Sequence, residues 1–502
     1  MGLPRVRQGE ETASQRVLWG GIWNAASQLL PMVVTTALSV VAARVLGADD
    51  LGRQSLISFA EGACTSLFVN SITEATIRTI SAQLGGGDVI GAARVRRWSM
   101  LAHCVSGVGV GVVLVGVGLT QPEDRVSWFI VAGSVVLNAL GWAVSAQVVP
   151  ERGWRPIAIR RLVTQLVGPA LGIVAVLAGF GIAGIFAANV LAAAGLLWSL
   201  APLRPPSRRV PWAPVPRQLI SLWAGFAAFE VVTQVVTKRI EFAFLAAYST
   251  ATEVAMYSIP FMVVSAAAVA PLAVAAASMP IVAMAIGAGD VPRAVERFSW
   301  ALRMSALISL PLAAALAGAG PVLVELVYGA DFARAARLVP LAALVIVLAP
   351  AGQLCISYWV GVGRLPPLLW TGGAGAAIDL AAAFLLIPRY GATGAVLANL
   401  AGQLATSGML LTVTVRSLGR VDLRLDRWAV AAAASSVAFV AFAATQALVP
   451  GLAGAVASAL VGVGCFMAVA VPIGIIRPDD AQQLTAALPA GLHPVVRVVT
   501  CR

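Results

Sequence analysis

Residues Leu385–Leu400 read LLIPRYGATGAVLANL. An apolar run is cut by Pro388, Arg389, Tyr390 and Gly391, and an apolar run then resumes. Proline and spaced glycines stop helices, yet this interruption is only a few residues long. Two hydrophobic segments therefore meet at a very tight turn. The rest of the chain says what those segments are, and whether the turn has a counterpart.

Composition makes them membrane spans. The 502 residues are 59% hydrophobic and 11% charged, with a mean hydropathy of +0.90, whereas a soluble domain is about 25% charged. This is too little polar surface for a water-soluble body, and an all-α polytopic membrane protein is expected. The net charge of +12 does not imply a nucleic-acid partner, because the arginines sit in short loops between apolar stretches, where topology explains them. Cys64, Cys104, Cys355 and Cys465 lie inside apolar spans and Cys501 in the tail, with no ligand spacing. His103 and His493 are far apart, so neither a metal site nor any other bound cofactor is expected. The first apolar span starts after Arg16 and is too long for the core of a cleavable signal peptide.

Crossing the hydrocarbon core takes about 20 apolar residues. Fourteen segments qualify: 17–43, 54–77, 98–120, 126–149, 160–180, 182–203, 218–240, 254–283, 300–327, 338–363, 366–387, 391–415, 428–449 and 451–476. Pro31, Pro169, Pro260, Pro271 and Pro311 fall within them, where neighbouring helices must satisfy the freed carbonyls. With the N-terminus in the cytoplasm, inner loops collect Arg94, Arg96 and Arg97, then Arg152, Arg155, Arg160 and Arg161, then Arg204 to Arg217 and Arg416 to Arg427. Outer loops hold far fewer basic residues, as the positive-inside rule requires. Both termini are thus expected on the cytoplasmic side of the membrane.

A repeat is hidden in the loops. Gly85, Gly87, Asp88, Val89 and Trp98 recur 202 residues later as Gly287, Gly289, Asp290, Val291 and Trp300. Gly391, Gly394, Ala398 and Asn399 recur 210 residues earlier as Gly181, Gly184, Ala188 and Asn189. Spans one to six and seven to twelve therefore read as two copies of one unit in the same orientation. The expected organisation is an N-lobe (1–203), a basic proline-rich linker (204–217), a C-lobe (218–416), two extra spans (417–476) and a cytoplasmic tail (477–502). Two similar bundles with a seam between them suit alternating access.

The same residues carry a family resemblance. LLIPRYGATGAVLANL, preceded by Asp379, resembles the span eleven to twelve signature of the multidrug/oligosaccharidyl-lipid/polysaccharide exporter superfamily. LWGGIWNAASQLLP with ARVLGADDLGRQSL (Leu18 to Leu56) resembles the first hairpin of its polysaccharide flippase branch, and LVELVYGADFARAARLVPLAAL (Leu323 to Leu344) that branch's span nine to ten connection. The resemblance implies two six-helix lobes in a V around a cationic central cavity, plus two helices. It also implies flipping of a polyprenyl-diphosphate-linked oligosaccharide from the inner to the outer leaflet for cell-surface polysaccharide biosynthesis. The implied partners are that glycan lipid, membrane lipids, and a polysaccharide polymerase or glycosyltransferases, with the chain itself a monomer. Span seven departs from the branch's Arg–x–Asp: here it reads Arg239, Ile240, Glu241.

Ionisable residues inside spans cost at least about 2.5 kcal/mol each on insertion scales, so each needs a partner or a polar cavity. Span two carries Glu61, Asn70, Glu74 and Arg78. Glu74 and Arg78 are four residues apart, which makes them either a salt bridge or a cavity pair whose guanidinium grips a diphosphate in a fork. Glu61 is read as facing the cavity. Glu230, Gln234, Lys238 and Glu241 fall on one helical stripe of span seven, either a buried network or the C-lobe wall of the cavity. Asn24 and Gln28 line the cavity or bridge helices. Asp379 and Asn399 are expected to join helices, and Arg44, Arg53, Asp49 and Asp50 to form a charge network in the first outer loop. Substrate-binding candidates are thus Asn24, Gln28, Glu61, Asn70, Glu74, Arg78, Glu230, Gln234, Lys238, Arg239 and Glu241.

A diphosphate-sugar head cannot cross hydrocarbon unaided. Proton or sodium coupling through Glu61 or Glu230 would give direction. There is no Walker A motif for ATP hydrolysis, and a transporter rather than an enzyme is expected. The rivals are a cation-coupled multidrug exporter of the same fold, a peptidoglycan-precursor flippase, and a non-transporting scaffold. A polyprenyl-sugar-dependent glycosyltransferase or polymerase fits less well, because every outer loop is short.

Overall fold

The two matching hairpins anchor the architecture. A computed structural model describes residues 13–152, 155–205, 210–211, 214–236, 240–287, 290–362, 364–419, 425–448 and 451–470. Every regular element among the described residues is helical. The first half holds α1 (Ala13–Thr65), a π-helical turn (Ser66–Asn70), α2 (Ser71–Gly85), α3 (Val89–Thr120), α4 (Arg125–Arg152), α5 (Arg155–Leu177) and α6 (Gly181–Leu200). Then come α7 (Arg217–Val236), α8 (Glu241–Tyr248), α9 (Ala251–Gly287), α10 (Val291–Tyr328), α11 (Ala333–Val362), α12 (Pro366–Tyr390) and α13 (Ala392–Leu418). The last two are α14 (Leu425–Leu448) and α15 (Gly451–Ala470).

Each expected span falls on a helix. α1 bends at Gly47 (φ 87°) and so carries the first span and the start of the second. Ten of the described helices are long and apolar enough to cross a membrane. The chain is therefore an all-α, multi-pass membrane protein.

The turn at Leu385–Leu400 is tighter than its composition suggests. α12 runs through Pro388 to Tyr390, and the break is Gly391 alone. Its φ is 55° and its N–H donates to Ile387 O at 2.8 Å, a left-handed helix cap. Gly181, its counterpart, has φ 58°. The N-terminal copy ends its first helix sooner. Gly179 takes φ 85°, Gly179 N–H donates to Val176 O at 3.0 Å and Phe180 N–H to Ala175 O at 3.0 Å, the Schellman pattern. Arg389, which stands where Gly179 would, stays helical because a side chain resists positive φ. The other repeat also has a geometric basis. Asp88 caps α3 by accepting from Gly91 N–H at 2.7 Å, and Asp290 caps α10 by accepting from Arg293 N–H at 3.1 Å.

The chain divides into two compact units, Leu30–Ser258 with Ala376–Asn399, and Met1–Leu29 with Ile259–Gly375 and Leu400–Arg502. In the first, Val110, Leu114, Trp128, Val131 and Phe186 form one buried cluster. Val144, Val148, Ile157, Leu196 and Leu200 form another, which holds α4, α5 and α6 together at their basic end. In the second, Phe298, Leu302, Tyr358, Trp359 and Leu410 form a core. Phe442 and Phe466 of α14 and α15 pack there on Leu310 and Ala314 of α10.

Candidate functional site

The candidate residues gather on α2 and α7 of the first unit. α2 buries Thr73, Ala75, Thr76 and Ile80 on one face. Leu219 of α7 is buried with Ala75, Ile80, Ala92 and Val95, and Leu222, Trp223 and Phe226 pack around it. Thr73 and Thr76 do not leave orphan hydroxyls. Thr76 donates to Ser99 Oγ at 3.0 Å, and Thr73 Oγ1 lies 3.0 Å from Nε2 of the fully buried His103. His103 Nδ1 lies 2.7 Å from Ser99 O. His103 is thus a core histidine locking α3 to α2.

On the opposite face of α2, Glu74 and Arg78 are exposed and form no ion pair with each other among the described residues. The packing salt bridge that their spacing permits is absent. Glu230 of α7 is half-buried and within Coulombic range of Glu74. Gln234, one turn further on, is buried, and its Oε1 has no hydrogen-bond partner among the described residues. Asn70 ends the π-helical turn just before α2, and its buried Oδ1 also has no such partner. Of these groups, Glu74 of α2 and Glu230 of α7 are the pair that the structure brings into range of each other. Charged groups on the free face of an otherwise apolar span need water or a polar ligand beside them.

Glu61 lies elsewhere on the same unit. Ser134 Oγ of α4 donates to Glu61 Oε1 at 2.7 Å, and Asn138 Nδ2 donates to Ser134 Oγ at 3.3 Å. This partner was missed from the sequence, although Ser134 and Asn138 form a polar pair at helical spacing in an apolar span.

The expected stripe through Glu230, Gln234, Lys238 and Glu241 is described only in part. α7 is described to Val236, and Glu241 opens the next described helix, α8, where it is fully buried. Phe242, its neighbour, stacks on Phe59 at 5.3 Å and meets Tyr257 edge-on at 5.0 Å, so the start of α8 is drawn into an aromatic cluster. Lys238 and Arg239 lie outside the described residues, as do the side chains of Asn24 and Gln28 on α1. Asp379 and Asn399 are both buried. Arg53 pairs with Asp49 at 2.6 Å and reaches Glu123 at 2.5 Å, so the first-loop charge network extends to the turn between α3 and α4.

A family model described as "Polysaccharide biosynthesis protein" matches residues 114–337. Solved structures share the fold. An inward-facing multidrug resistance MATE family transporter of the MOP superfamily aligns at 15% identity and a TM-score of 0.63, over 77% of this chain and 94% of that one. The lipid II flippase MurJ in an inward-closed conformation aligns at 12% identity and a TM-score of 0.64, over 90% and 99%. A MOP superfamily transporter from Pyrococcus furiosus aligns at 15% identity and a TM-score of 0.57, over 82% and 99%. No curated protein sequence matches the chain. The fold is that of the multidrug/oligosaccharidyl-lipid/polysaccharide exporter superfamily. The partial family match and the shared fold agree with the resemblance read from the sequence.

Proposed function

We propose that this membrane transporter carries a polyprenyl-diphosphate-linked oligosaccharide from the inner to the outer leaflet by alternating access, for cell-surface polysaccharide assembly. One observation carries the reading: α2 presents an exposed, unbridged Arg78 beside Glu74 on a membrane span, against α7. A lone planar guanidinium suits a diphosphate, which accepts its paired N–H groups in a fork. The match to a polysaccharide biosynthesis family supplies the class of cargo. Asn70, Gln234 and Glu230 supply amide and carboxylate partners for sugar hydroxyls, and Lys238 and Arg239 add positive charge next in the chain. The polyprenyl tail stays in lipid, so only the polar head needs a path. The chain acts in a bacterial plasma membrane with both termini cytoplasmic, as the loop charges indicate.

Direction comes from a proton or sodium ion. Glu61 is its seat, because the carboxylate sits in a span with hydroxyl and amide neighbours, Ser134 and Asn138, able to hold either ion. A cation-coupled multidrug exporter would use the same carboxylate, and one experiment separates the two. The purified chain is placed in liposomes holding a fluorescent polyprenyl-diphosphate saccharide. Loss of the protected fluorophore to an outside quencher supports flipping. Gradient-driven accumulation of a cationic dye without lipid movement supports the exporter and defeats the proposal.

A further inference from the structure

Arg161 of α5, one of the basic residues at the inner end of that helix, has no part in the site described above. It is the innermost of the basic residues in the first two turns of the helix. Its guanidinium carbon sits 3.4 Å from the ring centroid of Trp142 on α4. One Nη2–H donates to Ser145 Oγ at 3.3 Å, and that hydroxyl already donates to Gly141 O at 2.8 Å. Arg161 Nε is buried with no hydrogen-bond partner, and no carboxylate lies within ion-pair distance among the described residues. Its neighbour Arg160 is settled differently: Nε donates to Ser199 O at 3.1 Å and Nη1 to Pro156 O at 2.7 Å. Arg96 of α3 is ion-paired with Glu151 at the end of α4.

A guanidinium has five N–H donors in a rigid fork. Arg161 uses one of them, weakly. Trp142 fixes the plane of the group without neutralising it, because a ring face attracts a cation but accepts no in-plane hydrogen bond. The residue remains half-buried rather than sealed, so a ligand can reach it. Packing of Val144, Val148, Ile157, Leu196 and Leu200 behind it holds α4, α5 and α6 in place, so the fork is preorganised. A half-buried cation at the inner end of a span with unfilled in-plane donors is built for an anion, and planar paired donors select phosphate oxygens.

We infer that Arg161, stacked on Trp142 and tethered to Ser145, is a binding site for a lipid phosphate group, taken either from the diphosphate of the transported glycan lipid or from a phospholipid headgroup. The first source rests on the flippase reading; the second does not. Arg152, exposed at the end of α4, adds positive charge on the approach to the site.

Equilibrium binding to the full-length purified chain tests this, with native mass spectrometry as the readout. Undecaprenyl diphosphate and phosphatidylglycerol are the two probes. Arg161→Gln is expected to weaken binding by about tenfold to a hundredfold, the range of one or two lost hydrogen bonds to a charged group. Arg161→Lys, which keeps charge but loses the fork and the stacking, should fall between. Loss for undecaprenyl diphosphate alone supports the site and assigns it to cargo. Loss for phosphatidylglycerol alone supports it and assigns it to bulk lipid; loss for both supports a general phosphate site. Unchanged affinity for both probes in Arg161→Gln overturns the inference. If Arg161→Gln does not fold, the unsubstituted chain decides: inorganic pyrophosphate should displace bound lipid, and failure to displace either probe overturns it. Binding is read without transport. A chain that binds undecaprenyl diphosphate through Arg161 yet moves no lipid would therefore defeat the flippase reading and leave this site standing.

Discussion

Replacing Gly391 with alanine probes the hairpin that first defined the fold. At φ 55° an alanine adopts left-handed backbone at a cost of about 1–2 kcal/mol. A second cost is specific to this copy of the repeat. Glu253 Oε2 accepts a hydrogen bond from Ala392 N–H at 2.8 Å, fastening α9 to the start of α13. A Cβ at Gly391 would stand 2.9 Å from Glu253 Cδ and closer still to Oε2, so the carboxylate must leave. A hydrogen bond to a charged group contributes about 1.5–3 kcal/mol. Gly391→Ala should therefore destabilise by about 2.5–5 kcal/mol, adding the two terms. Gly181, at φ 58°, has nothing within 4 Å of its Cβ position, so Gly181→Ala should lose only the backbone term, about 1–2 kcal/mol. Equilibrium unfolding of the detergent-solubilised chain, followed by helical circular dichroism, measures both. Adding Glu253→Ala to Gly391→Ala should cost less than the two single effects summed, because both remove the same contact. Equal losses at Gly181 and Gly391, or additive behaviour in the double variant, would refute the role given to Glu253.

Three further outcomes are expected. Asp88→Ala and Asp290→Ala each remove a helix cap and should cost about 0.5–2 kcal/mol, with faster amide exchange confined to the first turns of α3 and α10. Thr73→Val leaves His103 Nε2 buried without its partner and should destabilise by about 1–3 kcal/mol, whereas Thr79→Val on the same helix, half-buried with its hydroxyl bonded only to Ala75 O, should cost less in the same unfolding assay. Asp124, in the turn between α3 and α4, has its carboxyl pushed up chiefly by burial, with Asp50, Glu123 and Asp49 adding to the rise and Arg53 opposing it. A raised folded-state value means that stability falls as pH rises from the ordinary carboxyl range through that value. Asp124→Asn should therefore stabilise at neutral pH, and the gain should vanish when unfolding is repeated in acid.

Much of the framework was legible because it depends on local chemistry. Apolar length marks a span wherever it occurs. Gly181 and Gly391 are needed where the backbone turns left-handed, and Asp88 and Asp290 where a helix begins, so the two copies betray each other. Long-range pairing was not legible. Nothing in the spacing around Glu61 names Ser134, and nothing around Arg161 names Trp142; those contacts exist only once α4 packs beside α1 and α5. Helical spacing also permits a bridge between Glu74 and Arg78 without requiring it, since exposed side chains gain little from holding one geometry.

Transport in this chain requires that positive charge on the membrane spans grip an anionic head. The direct measurement is the rate at which a fluorescent polyprenyl-diphosphate saccharide crosses the bilayer in liposomes carrying Arg78→Ala together with Arg239→Ala, with insertion and folding matched to the unsubstituted chain. The account predicts that crossing slows to the protein-free rate. Crossing at the unsubstituted rate would contradict it.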